Sequence, residues 1–397
     1  MLEATVDILG INKQFSEEEL LIAKTVRDFA DSNLIPMMTE HYEKASMPED
    51  LIEQIASLGL FGMTLPVEHG GSAATNVAYG LACAELERAD SAVRSFVSVQ
   101  SSLCMYPIFK YGTEEQKTKY LLPMSQGRII GCFGLTEPDS GSDPASMKTT
   151  ATPINKDRLG AGGWLLKGSK MWITNAPIAH LGIIWAKTPD GIRGFLIDMQ
   201  SKGVKTQLIK HKMSLRASIT GEISFNDVFV PEDAILPGTT KGLGAALGCL
   251  TQARYGIAWG AIGAAEFCLD QTVEYAKTRK QFERPIASNQ LIQKQLVDCY
   301  TEICKAKLFN LNLGRLKDAN PNAAELNISV SMAKMNACRE ALKIARTCRN
   351  VLGANGISLE YHVIRHMNNL ESVFTYEGTD NIHTLAIGRF LTGINAF

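Results

Sequence analysis

The 397-residue sequence has no Cys-x-x-Cys pair, no Gly-x-Gly-x-x-Gly fingerprint and no P-loop. Those absences argue against a dithiol or zinc-ribbon centre, a Rossmann nicotinamide site and a Walker nucleotide site. No Gly-x-Ser-x-Gly elbow supports a serine hydrolase. No apolar run approaches the ~18 residues of a membrane span. No internal repeat or low-complexity tract interrupts the chain. Charge of one sign is also missing. Forty basic residues face forty-one acidic ones, a net charge of −1, so there is no chain-wide case for nucleic acid or an anionic membrane. What is present is globular composition, 45% hydrophobic and 20% charged. At ~100–200 residues per domain the length implies two or three units. Nine isolated cysteines read as reduced core thiols in an intracellular protein. The acidic start, MLEATVDILG, lacks a leader pattern. The expected location is therefore a bacterial-type cytoplasm, or the mitochondrial matrix if a transit peptide has been removed.

The first third reads as helical. Ser16 to Glu19 forms a capping box, with Phe15 and Leu20 placed as a hydrophobic staple. Ile22, Val26, Phe29 and Ala30 follow at helical spacing. A second helix is expected after Met47-Pro48-Glu49, ending at Gly59 or Gly62. Residues 76–100 suit one or two buried helices. From Gly131 to about Pro237 the pattern changes to short apolar runs broken by turn residues. Trp164–Thr174 around Gly168-Ser169 reads as a hairpin, and Leu181–Asp198 around Pro189-Asp190-Gly191 as another. Val204–Lys210 and Glu222–Val230 add strands. Helical pattern then returns. Lys241-Gly242-Leu243-Gly244 leads into it as a flexible connection, and Ile292, Leu296, Cys299, Ile303 and Ala306 mark a packed seam. Asn320-Pro321 and Gly353–Gly356 punctuate later helices, and a last one starts near Thr379. The fold class is mainly α with a central β domain: helices over 1–130, a β unit over 131–237, helices over 238–397.

His362 and His366 have the i, i+4 spacing of helical zinc ligands, but no Glu follows His362 and no third ligand is near, so a partly exposed helical face and no metal is the reading. Three segments carry possible chemistry. Gly131–Asp143 is dense in small and hydroxyl residues, suited to a flat ring or a diphosphate, or equally to an ordinary polar turn. Met171-Trp172-Ile173-Thr174-Asn175 can flank an aromatic cofactor or simply be strand. Glu377 lies just before a helix start, where the dipole favours a carboxylate and Gly378 allows close approach. It suits a general base, or a plain helix-start acid.

The phrases Leu135-Thr136-Glu137-Pro138 with Gly141-Ser142-Asp143, Trp172-Ile173-Thr174, Arg279-Lys280-Gln281-Phe282, Gly353-Ala354-Asn355-Gly356 and Tyr376-Glu377-Gly378-Thr379 occur in one order. In that order and spacing the chain resembles the acyl-CoA dehydrogenase family, from about Phe15 to Phe397. The resemblance implies an N-terminal helical domain, a middle β-barrel-like domain, a C-terminal four-helix bundle and FAD as cofactor. Within the family the chain is similar to the branch acting on glutaryl-CoA. The segments carrying this are Arg94–Ser102, Ala253–Gly260, Asn289–Lys294 and the tail from Gly356 to Thr379.

Arg94 is the discriminating residue. Glutaryl-CoA ends in a free carboxylate, which needs a cation if it is to be buried, and arginine can hold it bidentately. If residues 87–98 are one helix, Glu87, Arg94 and Ser98 share a face. The resemblance implies Glu377 as base, Arg94, Tyr376 and Glu87 as its partners in oxidative decarboxylation to crotonyl-CoA and CO2, and electron-transfer flavoprotein as acceptor. It implies a substrate site of Arg94, Ser95, Ser98, Ser142, Gly378, Phe397 and the run Cys249, Leu250, Thr251, Gln252, Ala253, Arg254, Tyr255 and Gly256. Within one subunit FAD would meet Phe133, Gly134, Leu135, Thr136, Gly141, Ser142, Trp172, Ile173, Thr174, Thr379, Asp380 and Asn381. A neighbouring subunit would add Arg279, Phe282, Gln290, Asn350, Val351, Leu352, Gly353 and Ala354, which implies a homotetramer. Two departures fall in that second set: Glu283 where the family usually has Gly, and Gly353-Ala354 for Gly-Gly. The alternatives are a short-chain acyl-CoA dehydrogenase or oxidase, a non-decarboxylating relative, and a flavin-free helical scaffold.

Overall fold

The structure is a computed structural model describing residues 7–154 and 162–396. The first six residues and Phe397 lie outside the described residues, so neither the reading of the extreme start nor the Phe397 assignment is addressed by it.

The N-terminal part holds α1 (Glu17–Phe29), α2 (Ile35–Lys44), α3 (Leu51–Ser57), α4 (Asn76–Ala89), α5 (Ser91–Ser98), α6 (Tyr106–Tyr111) and α7 (Glu114–Ser125). The capping box is formed: the Ser16 Oγ accepts from the Glu19 amide at 3.2 Å, and the Glu19 carboxylate accepts from the Ser16 amide at 2.9 Å. The staple is not closed as expected. Phe15 is buried against Trp259, whereas Leu20 is exposed. The α3 helix ends at Ser57, two residues before Gly59 takes a left-handed φ of 66°. Residues 87–98 are not one helix. The chain breaks at Asp90 (φ −166°, ψ 140°), whose carboxylate caps α5 through the Ala92 amide at 2.7 Å. A buried π-helical stretch, Val99–Met105, then continues α5.

The middle part is one curled seven-stranded sheet: β1 (Gly131–Gly134), β2 (Thr150–Ile154), β3 (Gly163–Thr174), β4 (Leu181–Thr188), β5 (Gly191–Asp198), β6 (Val204–Leu208) and β7 (Thr220–Pro231). The path runs β1-β4-β2-β3-β7-β6, with β5 pairing β4. The β4–β5 hairpin forms as expected. The Trp164–Thr174 hairpin does not: Gly168-Ser169 is no turn, and β3 runs through it as one strand. Gly168 sits at φ 146° against Thr149, at a register shift opposite β7. A glycine that reads as a turn marks an irregularity inside a long strand. Alternating burial along β7 packs Ile223, Phe225, Val228 and Val230 into the sheet's own core.

The C-terminal part has three long helices, α8 (Leu243–Thr278), α9 (Gln290–Ala319) and α10 (Leu326–Val351). A fourth position is filled by two short ones, α11 (Val363–Thr375) and α12 (Asp380–Thr392). Between α8 and α9 lies the two-stranded ribbon β8 (Lys280–Gln281) and β9 (Arg284–Pro285). Gln100 stitches the helical and β parts together: its amide donates to the Ile129 carbonyl at 2.7 Å and accepts from the Gly131 amide at 2.9 Å. All nine cysteines are free and buried. Among the described residues no helix is long and apolar enough to cross a membrane, and no cluster of metal-ligand side chains occurs. His366 is not on an exposed face. It is fully buried against Phe267, and His362 is the left-handed residue before α11.

Candidate active site

The break between α11 and α12 carries Tyr376, Glu377 and Gly378. Thr379 caps α12, its Oγ1 accepting from the Ile382 amide at 3.3 Å. Glu377 takes a left-handed φ of 53° and Gly378 one of 104°. A Cβ on Gly378 would meet the His383 ring, so only glycine fits beside that buried histidine. Arg254 on α8 donates from Nε to the Glu377 carbonyl at 2.7 Å. The Glu377 Oε2 is sealed from solvent and has no hydrogen-bond partner among the described residues. Burial pushes the Glu377 carboxyl up to about 7, against the pull of Arg94, Arg254 and Lys334.

Arg94 on α5 reaches the same place. It is 1% exposed, with Nε on the Glu87 Oε2 at 2.5 Å and Nη2 donating to the Tyr376 hydroxyl. The break at Asp90 leaves the pair intact because α4 and α5 together still bring Glu87 and Arg94 to one side. Burial alone would lower the Arg94 pKa, but the Glu87 carboxylate overrides it and holds the guanidinium charged. Glu87 itself is pushed up by burial. Gly260 on α8 makes room, since an added Cβ would collide with the Glu87 carboxylate. Among the described residues the Glu87 Oε1 and the Ser98 Oγ are buried without hydrogen-bond partners. Buried polar atoms are normally paired, so a charged arginine flanked by unpaired acceptors and hydroxyls is poised for a polar ligand group.

The sequence-derived substrate run on α8 is sorted by this geometry. Cys249, Leu250, Ala253 and Tyr255 have buried side chains, and the Cys249 thiol donates to the Ala245 carbonyl of its own helix. Thr251 is bonded to Asn327, and Gln252 accepts from Lys317. Gly256 packs on Tyr79. Arg254 and Gly378 are at the Glu377 loop, while Ser142 is exposed on the loop after β1. Ser95 is buried on α5.

The two flavin-type segments of the β domain come together. The Met171 amide donates to the Thr136 carbonyl at 2.9 Å, laying Gly134–Glu137 along β3. Glu137 locks that loop. It accepts from the Lys170 ammonium at 2.8 Å and from the Lys148 and Thr149 amides at 2.6 and 3.0 Å. Those bonds hold its carboxyl down at about 2 despite burial. The Phe133, Leu135 and Ile173 side chains are buried, and the Leu135 carbonyl accepts from the Lys170 ammonium at 3.1 Å. Trp172, by contrast, is 55% exposed with a left-handed backbone. Gly141 has open space where a Cβ would stand. An exposed indole one residue from the Met171–Thr136 backbone bond, with an open glycine and the exposed Ser142 on the loop that follows Thr136, fits a flat ring with a polyhydroxyl and diphosphate tail.

The remaining residues sit elsewhere. Phe282, 95% exposed, and Glu283 are both left-handed at the tip of the β8–β9 ribbon, the backbone of a type I′ turn. Glu283 therefore occupies a position that suits glycine. Arg279, Gln290, Asn350, Gly353 and Ala354 are exposed, while the Val351 and Leu352 side chains are buried. Asp380 is gripped by Arg339 at 2.9 and 3.0 Å, and Asn381 is exposed. Residues that the sequence reading missed are Lys334, His383, Lys170 and Asp90. For Lys334 the signal was a cation in the apolar seam of Val330, Ala333, Ala337 and Ala341.

Family models for the acyl-CoA dehydrogenase N-terminal, middle and C-terminal domains match residues 16–128, 132–228 and 240–392. The chain belongs to the acyl-CoA dehydrogenase family, and its cofactor is FAD. More particularly, it is similar to a solved glutaryl-CoA dehydrogenase from Mycobacterium smegmatis. The identity is 49% over 98% of both chains, with a TM-score of 0.94. A second M. smegmatis glutaryl-CoA dehydrogenase structure, in complex with FADH2, is 45% identical over the same shares, also at 0.94. The human mitochondrial short-chain specific acyl-CoA dehydrogenase is 33% identical, over 95% of this chain and 91% of its own length.

Proposed function

We propose that this chain oxidises and decarboxylates glutaryl-CoA to crotonyl-CoA and CO2 and passes the electrons to an electron-transfer flavoprotein. The observation that carries the reading is the charged, buried Arg94 forked between Glu87 and the Tyr376 hydroxyl, one residue from Glu377. A monocarboxylic acyl chain offers nothing to such a cation, and burying it beside methyl groups would be costly. The glutaryl-CoA dehydrogenases among the similar structures support the reading.

Thr136, Ser142, Trp172, Thr174 and the Thr379 turn would hold FAD, which would supply the two-electron acceptor for the hydride that leaves the β-carbon. Arg94 receives the distal carboxylate and fixes the acyl chain. Glu377 removes the α-proton; an affinity near neutrality suits a base that must also give the proton back. The Glu377 carbonyl is pinned by Arg254, which holds the loop's amide groups in place at the thioester end. In the resulting glutaconyl-CoA, the bond to CO2 breaks and its electron pair spreads to the thioester oxygen. Protonated Glu377 returns its proton to the γ-carbon, giving crotonyl-CoA. Tyr376 keeps its own proton, since burial pushes its phenol up, and it bonds to Arg94 as the carboxylate leaves.

The homotetramer with Arg279, Phe282, Gln290 and Asn350 to Ala354 reaching a neighbour's FAD belongs to the same proposal, supported by the exposed Phe282 tip. So do the domain limits at 130/131 and 237/238. The test is mass spectrometry of products from glutaryl-CoA with an artificial electron acceptor. Crotonyl-CoA with CO2 is expected. Glutaconyl-CoA alone would reduce the reading to dehydrogenation, and turnover of butyryl-CoA with none of glutaryl-CoA would overturn it.

A further inference from the structure

Lys334 on α10 has no place in the mechanism above, yet it is 1% exposed. Its ammonium donates to the Gly378 carbonyl at 2.9 Å and to the Phe374 carbonyl at 3.2 Å. A buried ammonium without a bonded carboxylate is costly, and burial pushes this one down. The two carbonyls bracket Glu377 in the chain. Phe374 lies in the last turn of α11, where the helix dipole favours a cation. Gly378 precedes the cap of α12. Between them stand two consecutive left-handed residues, Glu377 and Gly378. For a glutamate that conformation is unfavourable, so something must hold it. The same ammonium lies 6.0 Å from the Tyr376 ring centroid, and the Arg94 guanidinium carbon lies 5.8 Å from it.

We propose that Lys334 is a positioning residue for the reacting carboxylate: by pinning the Phe374 and Gly378 carbonyls it fixes the loop that presents Glu377. This rests on Glu377 being the base. The charged and titratable groups around the loop are Glu87 from α4, Arg94 from α5, Arg254 from α8, Cys338 and Arg339 from α10, Tyr376 in the loop, and Asp380 and His383 from α12. Of these, Arg94, Arg254 and Lys334 pull on the Glu377 carboxyl, so losing one moves its titration upward.

The test compares FAD-loaded wild type, Lys334→Met, Lys334→Gln, Lys334→Arg and Glu377→Gln across pH, reading kcat, KM and the acid limb of kcat/KM. Lys334→Met is expected to lower kcat about 10- to 100-fold. Its KM for glutaryl-CoA should stay within about threefold, as for a residue that does not touch substrate. The acid limb should move up by about one unit. Lys334→Gln keeps a donor but no charge. It is expected to recover part of kcat and leave the limb displaced, and it decides the matter if the Met variant does not fold. Lys334→Arg should return the limb to its wild-type position. An unmoved limb in both neutral variants, or kcat within about twofold of wild type, overturns the proposal. Glu377→Gln separates the two ideas: if it still turns over, the base assignment fails; if it is inert while the Lys334 variants are normal, only the Lys334 role fails.

Discussion

Two buried arginine–carboxylate pairs, built on Glu87 and on Asp90 at the α4–α5 break, behave differently. In the first, Arg365 donates to Asp90, and every Asp90 acceptor is taken: the Ala92 amide on one oxygen, Arg365 and the Asn369 amide on the other. Arg365 also donates to the Ala89 carbonyl at 2.7 Å, and the Asn369 Oδ1 accepts from the Leu215 amide at 2.8 Å. That pair ties α5 and α11 to the segment after β6 and leaves neither carboxylate oxygen unpaired, although the Arg365 Nε has no partner among the described residues. In the second, Arg94 and Glu87 are equally buried, but among the described residues the Glu87 Oε1 and the Ser98 Oγ have no hydrogen-bond partner. A buried pair whose carboxylate oxygens are both bonded specifies packing, whereas one with a carboxylate oxygen left unpaired beside a high-pKa carboxyl marks chemistry.

The comparison can be sharpened by breaking each member in turn. The largest effect is expected from Glu377→Gln, which should lower kcat by about 10³-fold or more while FAD absorbance is retained. Next, Arg94→Gln should cut kcat/KM for glutaryl-CoA by about 10²- to 10³-fold and leave butyryl-CoA turnover nearly intact. Arg365→Met should do the reverse. It strands the Asp90 charge, so denaturant unfolding should show a loss of about 3–5 kcal/mol, with the glutaryl-to-butyryl preference of the folded fraction unchanged. The smallest effect is pH-linked. The Glu377 carboxyl is raised from 4.5 to about 7, so the folded state binds its proton more tightly than the unfolded chain. That stabilisation is full below 4.5 and lost as pH rises through 7. A neutral Gln escapes the loss, so Glu377→Gln should gain about 3 kcal/mol over wild type at pH 8 and almost nothing at pH 4. An equal gain at both pH values would show that burial does not raise this carboxyl.

Local signals in the sequence carried much of the fold. The Ser16–Glu19 capping box, the β4–β5 turn at Pro189-Asp190-Gly191 and the Thr379 start of α12 each bond their own neighbours, so pattern and structure agree. Gly168 misled because a bulged strand and a turn share the same glycine signature. The break at Asp90 was hidden because the apolar pattern runs through it and only the cap geometry reveals it. At the site, Glu87, Arg94, Tyr376 and Glu377 were legible as a set through the family resemblance, not through spacing, since Arg94 and Tyr376 are 282 residues apart. Lys334 was not legible as functional. Its partners are main-chain carbonyls, which any sequence supplies, so only the fold shows what its charge holds.

The central claim is that Arg94 reads a distal carboxylate. The most direct measurement is the ratio of kcat/KM for glutaryl-CoA to that for butyryl-CoA, in wild type and Arg94→Gln, at matched FAD occupancy. The account predicts a ratio well above one in wild type that collapses by about 10²-fold or more in the variant. An unchanged ratio would contradict it.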